Sequence, residues 1–408
     1  MDAAAGRKRW AAAYPELGTD PIPIEPYISP AYFALECANI FRRVWLNVGR
    51  EEEIPHAGDH FVKEIAAAQS SVLVVRGGDG AIRAFHNMCA HRGNKVVWQD
   101  RGQCERFACT FHGWSYGLDG QLLHVPDEDQ FHDLRKHELG LTPVAAALWE
   151  GFIFINLDPQ PQQSLAAYLG DLGERLKGWP FAQKTACFAY RAEARCNWKV
   201  AVNAFQESYH VPFVHQRSLP DSAAGQGNPL AHPLAIILFP LHQTISIYGN
   251  PHTRLNPVDE LVVRHGHSYR KRVVSQGDLP PGLNPTRQTN WGFDIDVFFP
   301  NFFMLIFGIG VYFTYNFWPV AVDRTVYEVR MYNPPPQNAG QRFALEYNRS
   351  IQKSGLTEDL ATLENTQSVL ASGAKKHLIL QDNEIAIRHH YKVVDGLVRA
   401  PDGFGRTA

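Results

Sequence analysis

The sequence has no dominant charge: 39 Lys and Arg stand against 41 Asp and Glu, a formal net charge of −2. A chain without a basic excess lacks the electrostatic footprint that nucleic acid selects, so no nucleic-acid partner is expected. Cysteine is sparse, with six in 408 residues. The opening stretch, MDAAAGRKRWAAAYPELG, holds no apolar core of the kind a secretory signal needs. A disulfide framework is therefore not expected; the cysteines are left for metal binding or burial, and the cytoplasm is the expected location. Long hydrophobic runs are also missing. The best candidate, Val297 to Pro319, has Pro300 and Asn301 near its start, and its unbroken part from Phe302 to Phe313 is too short for a bilayer. Its aromatic and β-branched residues predict buried strands rather than a membrane span. Internal repeats and low-complexity tracts are absent as well.

What is present divides into two textures. Ser29-Pro30 ahead of AYFALECANIFRRVW predicts a capped amphipathic helix. From about Trp45 to Asp158 the pattern changes to short alternating runs punctuated by glycine. SVLVV-RGGDG-AIRAF is a hairpin signal, Trp114-Ser115-Tyr116 leading to Asp119-Gly120 is another, and WEGFIFINL closes the region as an apolar strand. DPQPQQ, residues 158–163, reads as a linker. Beyond it, helical patterns over 164–176, 198–209 and 357–371 mix with strand-like runs near 234–248 and 302–332. The expected class is α+β: a small all-β module at 45–158, and a larger domain built from 1–44 and 159–408.

Two loops in the small module concentrate metal chemistry. Cys89-Ala90-His91 and Cys109-Thr110-Phe111-His112 each follow a predicted strand and each offer one thiolate and one imidazole. A common zinc finger instead pairs its cysteines on a hairpin and its histidines on a helix. One Cys and one His per loop suits a two-iron cluster with two Cys on one iron and two His on the other, as in Rieske centres. Gly93 and Gly113 follow the histidines and would let backbone amides approach the cluster, and Trp114 would shield it. A structural zinc site is the competing reading. Cys104, between the loops, has no histidine of its own and reads as a structural thiol. Arg92, Lys95, Arg101 and Arg106 give the region a basic cast, which reads first as a solvated face and second as a docking surface for an acidic electron carrier.

A second constellation lies in NWKVAVNAFQESYHVPFVH. Glu207 and His210, three residues apart, would share a helical face with Asn203 one turn earlier. His210 and His215 would splay by about 140° on an ideal helix, but Pro212 between them permits a distortion that brings them together. Two converging His and one carboxylate form the triad that holds mononuclear Fe(II) with open positions. For the carboxylate, Asp359, in the first turn of a helix predicted to open at Thr357, and Asp382 are both available, and spacing does not separate them.

Taken together, FRRVWLNVGR, NMCAHRGN, CTFHGWSYGLDG, NWKVAVNAFQESYH-x4-H and EDLATLENTQ resemble the α subunit of Rieske non-haem iron aromatic-ring-hydroxylating oxygenases, over nearly the whole chain. The resemblance implies a Rieske domain followed by a catalytic domain with an antiparallel sheet surrounded by helices, of helix-grip type. It implies that Cys89, His91, Cys109 and His112 bind the [2Fe–2S] cluster, and that His210 and His215 bind the catalytic iron. The family's pattern Glu-Asp-x4-Glu-x2-Gln is met by Glu358, Asp359, Glu364 and Gln367, which selects Asp359 as third ligand. Glu207 stands where many members carry the Asp that bridges the two centres between subunits, and Asn203 would support the iron indirectly.

The implied activity is oxidation of an apolar or aromatic substrate by O2, as hydroxylation, cis-dihydroxylation or oxidative dealkylation. Electrons would come from NAD(P)H through a flavin reductase or ferredoxin. The implied assembly is a homotrimer, with a β subunit left open. Phe205, Val211, Phe298, Phe303 and Phe307 are the expected pocket lining. The rival readings are a Rieske electron carrier without catalysis and a zinc-stabilised binding protein.

Overall fold

A computed structural model describes residues 9–266, 279, 282–308 and 310–399. Near the N-terminus, α1 (Pro30–Glu36) opens where Ser29-Pro30 predicts, and is followed by a π turn at Cys37–Phe41. The chain divides into two compact units, Cys37–Tyr168 and the pair of segments Met1–Glu36 and Leu169–Ala408.

The smaller unit is built of strands. In chain order these are β1 (Leu46–Arg50), β2 (Asp59–Ile65), β3 (Ser70–Arg76), β4 (Ile82–His86), β5 (Arg101–Gln103), β6 (Phe107–Ala108), β7 (Ser115–Tyr116), β8 (Leu122–His124), β9 (Pro143–Trp149) and β10 (Phe152–Asn156). Seven form an antiparallel sheet in the order β1-β10-β9-β4-β3-β2-β5, and β6-β7-β8 make a second, three-stranded sheet. The β3–β4 hairpin is the one that RGGDG signals. Residues of both sheets enclose one core, in which Leu73, Val75 and Phe85 meet Phe107, Trp114 and Tyr116 around Cys89 and Cys109.

The larger unit centres on a seven-stranded antiparallel sheet. Its strands are β11 (Ala186–Ala194), β12 (Ala235–Leu238), β13 (Gln243–Tyr248), β14 (Trp291–Phe298), β15 (Phe302–Phe307), β16 (Val311–Ala321) and β17 (Arg324–Asn333), ordered β11-β17-β16-β15-β14-β13-β12. Every residue of β14 and β15 is buried. Strands buried on both faces read as continuous apolar runs, which is why residues 297–319 look membrane-like in sequence. Among the described residues no helix is long and apolar enough to cross a membrane. With its helices, this is the α+β arrangement expected, a β module and a larger sheet-and-helix unit.

The helices that matter for the site are α2 (Leu165–Leu176), α3 (Trp198–Ala204), α4 (Val211–Val214), α5 (Ala339–Leu370) and α6 (Ile385–Arg399). Two differ from expectation. The pattern over 198–209 predicts one helix, but α3 stops at Ala204 and a turn carries the chain to the single-turn α4. The helix predicted to open at Thr357 in fact starts at Ala339, where the Asn338 side chain caps it by accepting from the amide of Gln341. Asp359 therefore lies deep inside α5, not in a first turn. The start of α3 is pinned by a buried ion pair, Lys199 Nζ to Glu36 Oε1 at 2.5 Å, with the Trp198 indole donating to the same carboxylate at 2.9 Å. Breaking such a pair on one side leaves an uncompensated buried charge, so both partners are needed to hold this corner.

Candidate metal centres

In the smaller unit the two Cys/His loops are near copies of one another. The amide of Gly93 donates to the carbonyl of Cys89 at 3.0 Å, and the amide of Gly113 to that of Cys109 at 2.9 Å. Both glycines sit at φ +75°, a left-handed conformation that a side chain would strain. The turns bring Cys89 and Cys109, 3% and 2% exposed, to one spot, and set the His91 and His112 rings 4.6 Å apart. The Tyr116 hydroxyl lies 3.1 Å from the Cys89 sulfur and accepts from the amide of Ala90 at 3.0 Å. Trp114 stacks on His91, with centroids 4.9 Å apart and planes 7° from parallel.

Burial alone would push the Cys109 thiol up, yet the amides of Phe111 and His112 and the Asn94 side chain help hold it below the ordinary thiol value. Cys89 is raised, by burial first and also by its neighbour Cys109. The residues fit a [2Fe–2S] cluster on a specific observation: His91 Nδ1 is buried and has no hydrogen-bond partner among the described residues, so a ligand nitrogen points inward with nothing else to bind. Of the expected basic surface, Lys95 is paired with Glu64 at 2.7 Å, Arg101 with Glu53, and Arg92 lies over Phe111. Two of the four expected cations, Lys95 and Arg101, are thus paired with carboxylates.

In the larger unit, His210 and His215 flank α4 as its N-cap and C-cap residues, with Pro212 in the first turn. His210 keeps helical backbone angles (φ −69°, ψ −27°), yet the two rings converge to 5.2 Å. Asp359 comes in from α5: its Oδ1 is 3.0 Å from His215 Nε2 and 3.7 Å from His210 Nε2. One ligand atom from each of the three lies within 4.8 Å of the others, an arrangement able to hold a metal ion. The far nitrogens are held by carboxylates. Glu207 Oε1 lies 2.5 Å from His210 Nδ1, and Glu358 Oε2 lies 2.9 Å from His215 Nδ1. Carboxylates behind ligand imidazoles fix their tautomer and aim, so this part of the site fits a mononuclear metal as well. Burial lowers His210, but Glu207 and Asp359 outweigh it and raise its pKa.

The rest of the Glu-Asp-x4-Glu-x2-Gln pattern acquires definite contacts. Glu358 also accepts from the Ser218 hydroxyl at 2.6 Å, and Glu364 grips the amide and guanidinium of Arg195. Gln367 accepts from the amide of Asn197 at 2.9 Å, tying α5 to the N-cap of α3. Asp382, the other carboxylate left open by spacing, instead accepts from the amides of Trp10 and Ala11 at 3.0 and 2.8 Å. The Asn203 side chain donates to the Tyr27 hydroxyl at 3.0 Å and lines a groove with Glu207, His210 and Asp359. Glu207 reaches His210 across a turn, not along a shared helical face. The support from Ser218 had no sequence signal beyond a hydroxyl three residues after His215.

A cavity opens beside the triad, walled by Phe205, Val211, Phe293, Ile295, Leu305 and Leu356. Two expected lining residues, Phe205 and Val211, are there; three are elsewhere. Phe298 falls on the opposite face of β14 from Phe293 and Ile295, near His242. Phe303 and Phe307 share a face with Leu305 but lie two positions to either side, packed on Phe317 and stacked on Phe293 respectively.

Comparison with known proteins agrees with this layout. Residues 44–142 match the Rieske [2Fe-2S] domain family, and residues 185–400 match the ring hydroxylating alpha subunit (catalytic domain) family. Glycine betaine monooxygenase oxygenase subunit of Chromohalobacter salexigens is 34% identical over 203 residues, 50% of this chain and 44% of that protein. Biphenyl 2,3-dioxygenase subunit alpha of Rhodococcus jostii is 34% identical over 219 residues, 51% and 47% of the two chains. The matched stretch thus spans about half the length of these relatives. Among solved structures, naphthalene 1,2-dioxygenase from a Rhodococcus species, bound to indole, superposes with a TM-score of 0.72 at 22% identity, covering 93% of this chain and 94% of the other. A quaternary ammonium Rieske monooxygenase in complex with gamma-butyrobetaine gives 0.69 at 20% identity, covering 91% and 94%.

Proposed function

The chain belongs to the ring hydroxylating alpha subunit family, with a Rieske [2Fe-2S] domain ahead of its catalytic domain, and on that premise we propose that it is the terminal oxygenase of a multicomponent system. It oxidises a small organic substrate with O2 and with electrons drawn from NAD(P)H through a reductase or ferredoxin. The observation that carries this reading is the presence of two separate ligand sets in one chain. Cys89, His91, Cys109 and His112 would hold the cluster, and His210, His215 and Asp359 the mononuclear iron.

When bound, the cluster supplies electrons one at a time and the ferrous ion supplies O2 activation. The protein's own contribution is positional. Glu207 and Glu358 keep the Nδ1 protons of the two histidines, leaving both Nε2 lone pairs aimed at one point. The apolar walls exclude water and hold substrate beside that point. Glu207, which lines the cavity and also a second groove with Asn203 and His210, is the proposed link to the cluster of a neighbouring copy. Assembly as a homotrimer in the cytoplasm belongs to this reading.

The cavity favours a neutral apolar or aromatic substrate. Its carboxylates, Glu207 and Asp359, both face the histidines, so neither is left to pair with a cation. The aromatic faces of Phe205, Phe293 and Tyr315 support a second reading, a quaternary ammonium substrate held by cation–π attraction, in line with the glycine betaine relative.

The deciding experiment supplies the holoprotein with a reductase, NADH and labelled O2, and screens aromatic and quaternary ammonium compounds for coupled oxygen incorporation or dealkylation. In the His210→Ala variant, product should vanish while the Rieske absorption and reduced-cluster EPR signal stay intact. Loss of both together would count against two separate centres.

A further inference from the structure

Apart from the residues around the metal position, three polar side chains line the cavity: Ser208, Tyr315 and Gln352. The Ser208 hydroxyl is committed, donating to the carbonyl of Ala231 at 2.5 Å. Gln352 is 8% exposed, and its Nε2 donates to the Tyr315 hydroxyl at 3.2 Å. Its Oε1 is buried and receives no hydrogen bond from any described residue. A buried amide oxygen left in that state is costly, and native structures leave few of them unanswered.

Position turns this oxygen into a recognition element. Gln352, Gly355, Leu356 and Asp359 all line the cavity, at the i, i+3, i+4, i+7 spacing of one face of α5. Seven residues of helix separate Gln352 from Asp359, a rise of about 10 Å. Between them Gly355 faces the segment after α4, where a Cβ would make only ordinary van der Waals contact, 3.4 Å from Ser218 Oγ and 3.9 Å from His215 Nδ1. The cavity thus has a metal-binding end, an apolar middle, and the Gln352–Tyr315 pair farther along α5.

We propose that Gln352 is a specificity-determining residue, whose amide oxygen takes a hydrogen bond from an N–H or O–H group at the end of an otherwise apolar substrate, remote from the carbon that is oxidised. The proposal rests on the oxygenase reading and narrows its substrate class. A trimethylammonium head offers no such proton, so the polar end of the cavity selects against substrates whose only polar group is of that kind.

The test measures binding, so that it does not depend on turnover. Titration calorimetry on the anaerobic holoprotein compares 3-phenylpropan-1-ol with its isostere butylbenzene, which lacks the donor, and with 4-phenylbutan-2-one, which offers only an acceptor. Gln352→Leu should lower the alcohol-to-hydrocarbon affinity ratio about tenfold. A ratio that stays put overturns the proposal, as does a loss confined to the ketone, which would mean the amide presents its N–H to the cavity. Failure of the wild type to bind any of the three overturns it too.

Should Gln352→Leu not fold, Tyr315→Phe carries the test. The Gln352 N–H, freed from its acceptor, should then raise ketone affinity severalfold over butylbenzene, and no gain overturns the proposal. Oxygen incorporation is scored separately. Its absence would sink the oxygenase reading and leave the binding ratio to be judged alone.

Discussion

His210 and His215 each have two carboxylate neighbours of different duty, one toward the metal position and one behind the ring. The inner one is shared, since both Nε2 atoms face Asp359, while the outer ones differ: Glu207 for His210 and Glu358 for His215. Removing an outer partner leaves the ligand in place but free to turn, which typically costs 10–100-fold in metal affinity. Glu358→Ala is therefore expected to weaken mononuclear iron binding by about that factor. Iron per chain after dialysis should fall from about three toward about two, with the cluster's absorption unchanged. Unchanged iron content would show that the backbone and packing aim His215 without Glu358. At this scale the sequence was legible in parts. The Cys/His loops are read easily because each pair of ligands is local, so spacing and chemistry coincide. Asp359 was not readable from spacing, because it lies far along the chain from His215; only the family-like Glu-Asp-x4-Glu-x2-Gln pattern picked it out over Asp382. Glu358 appeared as a letter in that pattern, and only the fold showed what it holds.

Strand β14 is two-faced. Phe293 and Ile295 wall the cavity, while Asp294 and Asp296 project to the other face and are fully buried. Each carboxylate has a hydroxyl donor, Ser246 at 2.6 Å and Thr244 at 2.7 Å, and Trp291 also donates to Asp294. Asp296 Oδ2 nevertheless has no partner among the described residues. Burial raises both carboxyls above their ordinary value, and for Asp296 the neighbouring Asp294 raises it further. A carboxyl raised in the folded state contributes fully only below its unfolded value of 3.8, and that contribution drains away as pH climbs through the folded value.

Asp296→Asn should accordingly be more stable than the wild type on the alkaline side, by on the order of 2–4 °C in Tm at pH 8–9. The advantage should shrink toward pH 4. Thermal denaturation across pH checks this, and a gap that does not vary with pH would rule out ionisation as the cause. The sequence reading did not single out β14, of which only Val297 and Phe298 fall within the apolar stretch 297–319. The two aspartates were invisible as a pair, since a period of two places them on one face only once the segment is known to be a strand. The early start of α5 was missed because Ser354 and Gly355 imitate a break, whereas the helix runs straight through them.

At the scale of the whole molecule, the compact units divide at Glu36/Cys37 and Tyr168/Leu169, so the linker expected at 158–163 lies inside the smaller one. The contrast of a β unit with a larger sheet-and-helix unit was nevertheless legible from the change of texture near Trp45. How copies associate was not, because nothing in one chain's pattern encodes its neighbour. If a cluster in one copy serves the iron of the next, two inactive variants should rescue each other. Cys89→Ala removes a cluster ligand and His210→Ala an iron ligand; each alone should be inactive. Co-expressed in equal amounts, they should recover about one quarter of wild-type turnover, the share of all copies that both bear iron and have an intact donor neighbour under random mixing in a cyclic trimer. Turnover at background in the mixture, with trimers confirmed by mass, would confine electron transfer to a single chain.

The unbroken course of α5 from Ala339 to Leu370 gears Gln352 to Asp359. Adding or deleting a single residue between them would swing one side chain about 100° away from the other, and no neighbouring loop could absorb the change. Diversification toward longer or shorter molecules is thereby closed on the helical wall. It has to proceed by exchanging side chains on β14 and β15, where bulk can change without disturbing the metal.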